Sequence, residues 1–429
     1  MSALRTDHGR FQVFLALLLF WIALINYFDR QSLSVVAPFF QRDLHLSDAG
    51  YSHIVTAFLL ASGIAYALTG FISDRLGTRL SMALFVGWWS VAEALTAFAH
   101  SAMMLATTRF MLGLGEPGLW VAAPKAVGEF FEKEKRAAAI GFYTLGATAG
   151  AVVALPVIVA VTTHLPWRSI FLLDGLTGLL WLPIWLLCLR GRGGRESISS
   201  RQPVSIEPGG EPKSSSRRSF RAVLSVRRTW QLLIARALTD PVQYFYFFWF
   251  PKYLASAQHL TLQQIARTGW CVYMAAGIGT LLGGFVAGAW IRRGARPALA
   301  YRYTMVFSAV LVPLSPLATL QGNTILKIAI GSIVLLAHMS WLVNLTSLVV
   351  DVFPPFQVAT AAGLIGAGSA MGGMIFSEII GYVVTHHGYH PLFWMMACVH
   401  PIALAVLWST ARPAKRIKAC RPIRLVNTI

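Results

Sequence analysis

Apolar runs long enough to cross a membrane recur about a dozen times along this chain of 429 residues. A helix needs roughly 20 predominantly apolar residues to span the hydrocarbon core of a bilayer. Hydrophobic residues make up 56% of the sequence and charged residues only 12%, which excludes an ordinary soluble protein. The first run is too long for a cleavable signal peptide, and no small-residue cleavage site follows it. The sequence therefore predicts an all-α membrane protein with twelve transmembrane helices.

The distribution of basic residues predicts the orientation of these helices. The predicted spans lie near 11–37, 49–73, 79–99, 102–124, 137–162, 167–190, 228–254, 265–291, 298–320, 324–350, 356–384 and 389–411. With the N-terminus inside, 28 of the 36 Lys and Arg residues fall in inner segments or at inner span ends, five in outer loops or at outer span ends, and three in the middle of spans. This positive-inside bias places both termini in the cytoplasm. The net charge of +19 therefore sets topology and contacts anionic lipid, and we expect no nucleic-acid partner.

One long polar stretch divides the chain into two equal sets of spans. Residues 191–227 are rich in Ser, Pro, Gly and Arg, which predicts a disordered cytoplasmic linker. An N-terminal six-helix half (1–190) precedes it, and a C-terminal six-helix half (228–411) and a basic cytoplasmic tail (412–429) follow it. Two such halves, with a binding site between them near the midplane, are typical of secondary transporters. The sequence thus predicts two pseudo-symmetric halves that alternate access to one site.

Ionisable residues inside two predicted spans are the candidates for function. Asp29 and Arg30 lie in the first span, and Arg109 and Glu116 lie in the fourth. Such residues are costly in a bilayer and are usually kept for a ligand, a relay or a pathway. At 1.5 Å per residue Asp29 and Arg109 share a depth, and the spacing of Arg109 and Glu116 puts both on one helix face. We therefore expect an Asp29–Arg109 ion pair that leaves Arg30 for an anionic ligand, because a guanidinium bonds both carboxylate oxygens. Asp29 and Glu116 suit proton coupling, because burial and nearby cations change how strongly a carboxyl holds a proton.

A short motif after the second span resembles a known family signature. Gly70, Asp74, Arg75, Gly77 and Arg79 fit the pattern G-x-x-x-D-R-x-G-x-R of the major facilitator superfamily. The spacing and the position in the chain both match that pattern. The resemblance implies the twelve-helix major facilitator fold. It also implies an inner charge network at this motif that stabilises one conformation of the transport cycle.

Longer stretches resemble the anion:cation symporter family within that superfamily. They include Asn26–Arg30, Arg109–Glu116, Thr239–Val242 and the glycine-rich run Gly363–Gly373. The similarity is greatest to bacterial hexuronate and galactonate transporters. It implies uptake of a small sugar-acid anion with protons, by a multi-pass protein of the bacterial inner membrane. We expect this protein to be monomeric.

Residues expected to contact the substrate follow from the charge pattern and from this resemblance. They are Arg30, Tyr27, Asn344, Trp341, Tyr66, Thr144, Gln243 and Tyr244. Several of them depart from the family. Ser62 and Tyr66 stand where sugar-acid relatives tend to have Tyr and Gln, and Thr144 replaces an Asn. Gln243 and Tyr244 replace an aromatic pair. The coupling residues therefore carry over from the family better than the identity of the substrate does.

Other functions remain open from the sequence. The same fold could carry an aromatic or dicarboxylic acid, since several spans are rich in aromatic residues. A membrane sensor would need a signalling domain, for which the linker and tail are too short. A membrane-embedded enzyme would need a nucleophile with its base or a metal cluster, and no spacing marks one. We therefore expect no enzymatic activity, cofactor or metal. No motif assigns roles to Glu93, Asp174 and Glu378, and Asp240 is expected to shape the start of the seventh span.

Overall fold

The computed structural model describes residues 2–190, 216–320, 323–353 and 355–409, which are helical and contain no strands. The helices before the linker are α1 (Ser2–Val35), α2 (Ala37–Asp43), α3 (Asp48–Thr96), α4 (Ala102–Gly115), α5 (Pro117–Phe130), α6 (Lys133–Thr162) and α7 (Arg168–Cys188). After it come α8 (Ser216–Ser225), α9 (Arg227–Phe248), α10 (Phe250–Ser256), α11 (Leu262–Thr268), α12 (Trp270–Arg292), α13 (Pro297–Leu311), a 3₁₀ helix (Val312–Thr319), α14 (Thr324–Val352), α15 (Pro355–His387) and α16 (His390–Trp408).

These elements form twelve spans in two six-helix halves, as the sequence predicted. The long helix α3 supplies spans two and three. Four spans are built from two consecutive elements: α4 with α5, α9 with α10, α11 with α12, and α13 with the 3₁₀ helix. Single helices α1, α6, α7, α14, α15 and α16 supply the others.

Glycine and proline account for the breaks within spans. Gly77 divides α3 with a φ of 73°, a left-handed conformation that favours glycine. Pro117 separates α4 from α5, because proline has no backbone N–H to continue the hydrogen bonds of a regular helix. Pro316 lies inside the 3₁₀ helix that ends the ninth span, and proline cannot donate the backbone hydrogen bond of a regular helix. The break at Pro117 positions Glu116, which the candidate site uses.

The bundle has two ends, which we name by the chain termini. The terminal end is the end at which α1 begins, and the far end carries the first loop after α2. Four helices that start at the far end carry side-chain caps, which satisfy otherwise free backbone N–H groups. The capping residues are Ser47, Ser101, Thr261 and Asn323.

Part of the expected linker is helical. Residues 216–225 form α8, although the composition of 191–227 predicted a disordered linker. The run SRRSFRAVLS places apolar residues among basic ones, so the helix has a face that packs. Val223 is fully buried, and Thr229 donates a hydrogen bond to its carbonyl at 2.6 Å. The rest of the expected linker, 191–215, and residues 410–429 with the basic tail lie outside the described residues.

Candidate functional site

Four ionisable side chains from four helices meet inside the N-terminal half. They are Asp29 on α1, Glu93 on α3, Arg109 on α4 and Asp174 on α7, and each is at most 5% exposed. A buried charge is stable only when it is paired, hydrogen-bonded or neutralised. These groups must therefore satisfy one another, and their pairing defines the chemistry of this half.

Arg109 pairs with a residue that no motif marked. Its Nη2 donates to Glu93 Oε2 at 2.5 Å and to Thr96 Oγ1 at 2.9 Å. The guanidinium also lies over the ring of Phe171, 5.0 Å from its centroid. The predicted Asp29–Arg109 ion pair is therefore wrong. The rise per residue gives the depth of a side chain but not its direction around the helix, and α3 presents Glu93 on the side that Arg109 faces.

Three carboxyl groups lie together beside this pair. One oxygen each from Asp29, Glu93 and Asp174 lies within 4.8 Å of the other two. Gly175 allows the approach of α7 to α3, because a Cβ there would lie 2.5 Å from the carbonyl oxygen of Ser90. No motif had assigned a role to Glu93 or Asp174. Three distant helices supply these carboxyl groups, so no local spacing reveals them, although an acidic residue in an apolar span was a signal.

Arg30 is held by Glu116 at the edge of the same half. Its Nε donates to Glu116 Oε2 at 2.8 Å, with the two side chains 14% and 0% exposed. The guanidinium lies near the rings of Tyr27 and Phe58, 5.1 and 5.7 Å from their centroids. Glu116 reaches it from the break between α4 and α5. The prediction that Arg30 stands unpaired is therefore wrong, although it remains partly open to solvent.

A second arginine, missed in the sequence, contributes from the C-terminal half. Arg236 Nε donates to Asp240 Oδ2 at 2.8 Å, one turn along α9, and the two side chains are 24% and 3% exposed. Tyr66 lies within electrostatic reach of both Arg30 and Arg236. The two cations thus face one region between the halves. Asp240 has an ion-pair partner beyond its expected role at a helix start, and the i,i+4 spacing of Arg and Asp was the available signal.

Aromatic and amide side chains line the region between the two arginines. The Tyr244 hydroxyl lies 3.1 Å from Ser369 Oγ, and Gln243 beside it is half-buried. Tyr27 packs edge-on against Phe247 of the opposite half, with ring centroids 5.4 Å apart. The structure therefore brings Tyr27, Tyr66 and Tyr244 near Arg30, and a substrate role for them and for Gln243 stays a prediction.

Three other predicted substrate residues are used differently. Asn344 is buried, and its amide donates to the backbone carbonyls of Gly283 at 3.2 Å and Ser340 at 2.8 Å. Trp341 is completely buried within the C-terminal half. The Thr144 hydroxyl donates to the carbonyl one turn earlier in α6. In this conformation Asn344 and Trp341 do not line solvent-accessible space, because packing between helices takes up their surfaces.

Polar contacts between the halves concentrate at the far end. There the first turns of span two meet the ends of spans seven and eleven. The pairs are the Tyr51 hydroxyl with the Phe248 carbonyl, Lys252 with Asp48, the Ser377 hydroxyl with the Ser52 carbonyl at 3.4 Å, and His53 with Glu378 at 2.8 Å. The far end is therefore closed over the region that holds Arg30 and Arg236.

The inner-loop motif lies at the terminal end and ties spans together. Arg79 donates from Nε and Nη2 to the carbonyl of Leu186, at 3.2 and 3.0 Å, near the end of α7. The guanidinium of Arg75 lies 4.1 Å from the ring centroid of Phe71. The side chain of Asp74 lies outside the part that the structure describes. The expected role of this motif in stabilising one conformation stays a prediction.

The chain is similar to known proteins in sequence and in fold. The sequence model of the Major Facilitator Superfamily matches residues 19–346. The chain is 26% identical over 403 residues to the hexuronate transporter of Escherichia coli (strain K12), covering 92% of this chain and 93% of that protein. It is 29% identical over 267 residues to the galacturonate transporter of Dickeya chrysanthemi, covering 61% and 77%. A bacterial homologue of the human lysosomal transporter Spinster, solved inward-facing and unoccupied, shares the fold with a TM-score of 0.71, 19% identity and coverage of 92% and 95%.

Proposed function

The chain belongs to the Major Facilitator Superfamily, and on that premise we propose that it imports a sugar-acid anion, a hexuronate or aldonate, by proton symport with alternating access. Relatives that span nearly the whole chain are named for hexuronates and galactonate. The observation that carries the proposal is Arg30, a membrane-embedded cation between the halves that is 14% exposed and held by a fully buried carboxyl. Such a cation suits an anionic substrate.

Arg30 can hold the substrate carboxylate without leaving its place. Its bond to Glu116 uses Nε, one of five N–H donors in a planar fork, and the other donors can grip both oxygens of a carboxylate. Tyr66 and Tyr244 offer hydroxyl groups at the same level to the hydroxyls of a sugar. Gln243 offers an amide that can donate and accept. These side chains come from both halves, so a bound substrate bridges the halves.

Glu116 links substrate binding to proton binding. A carboxylate bound to Arg30 shares the positive charge that compensates Glu116, and Glu116 is completely buried. Binding of a proton to Glu116 then removes a poorly compensated charge from the apolar interior, a saving of several kcal/mol. The substrate and the proton therefore favour each other, which is the thermodynamic requirement for symport.

The charge distribution supports an orientation for this state. The predicted inner segments at the terminal end hold most of the basic residues, so we place that end in the cytoplasm of a bacterial inner-membrane protein. The far end is then outer, and the closed contacts there make this conformation inward-facing. The halves 1–190 and 228–411 are taken as the moving bodies of a monomer, joined through the segment 191–227.

Uptake into proteoliposomes tests the proposal. Glucuronate, galacturonate and galactonate are offered with an inside-alkaline pH gradient, and the wild type should concentrate at least one of them. Glu116→Gln mimics the protonated form, so it should exchange substrate in counterflow yet fail to concentrate it. Glu132→Gln, in a surface pair with Lys135, is the matched control and should behave as wild type. Concentrative uptake by Glu116→Gln equal to wild type would exclude this carboxyl from coupling.

A second candidate substrate class rests on Arg236. An arginine on each side of one region suits a molecule with two anionic groups, so a dicarboxylic sugar acid is the alternative. Arg236 is 24% exposed, which leaves donors free beyond its bond to Asp240. Competition of galactarate against labelled glucuronate separates the two. A dianion that competes at a tenfold lower concentration than the monoanion would favour the alternative, and the reverse would favour the hexuronate.

A further inference from the structure

The interior of the N-terminal half holds more buried carboxyl groups than its one central arginine can neutralise. Arg109 is bonded to Glu93 through Nη2. Asp29 and Asp174 lie beside this pair, 1% and 5% exposed. With all groups ionised, these three carboxylates and one guanidinium would carry two uncompensated negative charges in an apolar bundle. Such charges are normally neutralised or paired with a cation.

The geometry shows where the missing positive charge belongs. Both carboxyl oxygens of Asp29 and Oδ2 of Asp174 are buried with no hydrogen-bond partner. The Nε of Arg109 is likewise buried and without a partner. One oxygen of Asp29 lies within 4.8 Å of one oxygen of Asp174. Two bare carboxylates at this separation repel strongly in a low dielectric, whereas a proton on either one turns the contact into a hydrogen bond.

We propose that Asp29 and Asp174 form a proton-sharing carboxyl pair and that Asp174 is a second proton-binding residue of the transport cycle. The proposal rests on the proposed proton symport and adds a residue to it. The groups that face the pair are Glu93 on α3, Arg109 on α4 and Glu116 at the break after α4. Arg109 and Glu93 lie beside the pair. Asp29 is next to Arg30 in α1, so the pair is adjacent to the proposed substrate ligand.

Protons fit this pair better than a metal ion does. One proton on each of the two carboxyls cancels the excess charge and still allows a hydrogen bond between them, whereas one sodium ion leaves one charge uncompensated. A calcium ion needs six to eight oxygen ligands. The three side chains supply six oxygens at most, and Glu93 Oε2 is already bonded to Arg109. Asp29 lies on α1 and Asp174 on α7, so relative movement of these helices changes the pair and its affinity for protons.

The experiment measures the number of protons carried with each substrate. Wild type, Asp174→Asn and Asp174→Glu are placed in liposomes that contain a trapped pH-sensitive dye, and labelled glucuronate is added. Each coupled proton contributes about tenfold accumulation per unit of pH gradient. Asp174→Asn should therefore reach about tenfold lower accumulation at a gradient of one pH unit, with fewer protons entering per substrate. Counterflow without a gradient should stay within about twofold of wild type, because the substrate site is intact.

Two further variants keep the result interpretable. Asp174→Glu retains a carboxyl and should retain coupling, which also answers the case in which Asp174→Asn fails to fold. Asp43→Asn, at the last residue of α2, makes the same chemical change where the carboxyl is 45% exposed and should leave the ratio unchanged. An unchanged proton ratio in Asp174→Asn, with coupling intact in wild type, would overturn the pair and leave the proposed symport standing. A wild type that moves no protons with any sugar acid would instead overturn the symport.

Replacement of sodium tests whether the cluster binds protons or sodium ions. Replacing Na⁺ by choline on both sides should leave wild-type accumulation unchanged, which supports protons as the ligand. Accumulation that requires a sodium gradient, and that Asp174→Asn abolishes, would assign the same cluster to sodium and overturn the proton pair.

Discussion

The two halves share an architecture but treat buried polar groups in opposite ways. The N-terminal half buries the ionisable groups Asp29, Glu93, Arg109 and Asp174 almost completely. The C-terminal half keeps its ion pair, Arg236 with Asp240, at the partly exposed boundary between the halves. Burying charge is expensive and does not by itself stabilise a fold. The difference supports the proposal that proton chemistry belongs to the N-terminal half, with the C-terminal half as the opposite wall of the site.

The core of the C-terminal half is held by polar groups that need no charge. His338 Nδ1 and His400 Nε2 lie 3.2 Å apart, and both rings are completely buried. Trp341 packs edge-on against His400, with ring centroids 5.2 Å apart. Asn344 joins α14 to the carbonyl of Gly283 on α12. Such bonds fix helix packing within the membrane at modest energy. They hold α12, α14 and α16 together with neutral groups.

Removing the central guanidinium should have the largest effect on the molecule. Arg109→Gln leaves Glu93 buried without its cation, and breaking a buried pair in this way costs about 3–5 kcal/mol. We expect a strong loss of folded protein, measured by thermal unfolding in detergent. The double variant Arg109→Gln with Glu93→Gln removes both charges and should recover part of the stability. A single variant as stable as wild type would show that this half does not depend on compensated charge.

The sequence predicted the fold and the residue types of the site, and failed on their pairing. Twelve spans, two halves and the charged residues Asp29, Arg30, Arg109 and Glu116 follow from hydropathy and from the cost of charge in a bilayer. The partners do not follow, because depth along a helix says nothing about the direction in which a side chain points. The sequence placed Arg109 and Asp29 at the same depth. The orientations of α3 and α4 about their axes instead bring Arg109 to Glu93.

The contacts between helices could not be predicted from the sequence either. Asn344 and Trp341 looked like substrate residues because polar and aromatic groups in a span often face a cavity. The structure uses them between helices of one half, where a close approach of α12 to α14 leaves them no open space. Asp174 reaches the carboxyl cluster because Gly175 lets α7 approach α3. Contacts of this kind depend on three or four helices at once, so no local motif records them.

A charge-conserving change at Arg30 tests whether this residue of the N-terminal half binds the substrate carboxylate. Arg30→Lys keeps the cation that balances Glu116 but loses the planar fork. Stability should stay near that of wild type, while affinity for glucuronate should fall about tenfold or more, since one hydrogen bond to a charged group is worth about 1.5–3 kcal/mol. Titration calorimetry of the detergent-solubilised protein measures the affinity, and thermal unfolding of the same sample measures the stability. Unchanged affinity would place the carboxylate elsewhere in the region between the halves.

Removing the arginine of the C-terminal half, Arg236, should weaken the binding of a monoanion less than Arg30→Lys does. Arg236→Gln removes a cation that contacts the same region from the C-terminal half. If the substrate carries one carboxylate, held by Arg30, binding of glucuronate should weaken by only about two- to fivefold through the loss of a longer-range attraction. The proton-to-substrate ratio should not change. A loss as large as that of Arg30→Lys would show that the two halves share the anion equally.

The histidine pair should have no effect on proton coupling and gives the most direct test of the contrast between the halves. His400→Leu leaves Nδ1 of His338 buried without its partner, which should lower stability by about 1–3 kcal/mol. The double variant His338→Leu with His400→Leu removes both polar groups and should be no less stable than the single variant, because no unsatisfied group is left behind. Neither variant should alter the proton-to-substrate ratio in liposomes with a trapped pH-sensitive dye, since the pair binds helices together and carries no transported charge. A reduced ratio in a folded double variant would mean that protons pass through both halves, and the division of labour proposed for the two halves would then be wrong.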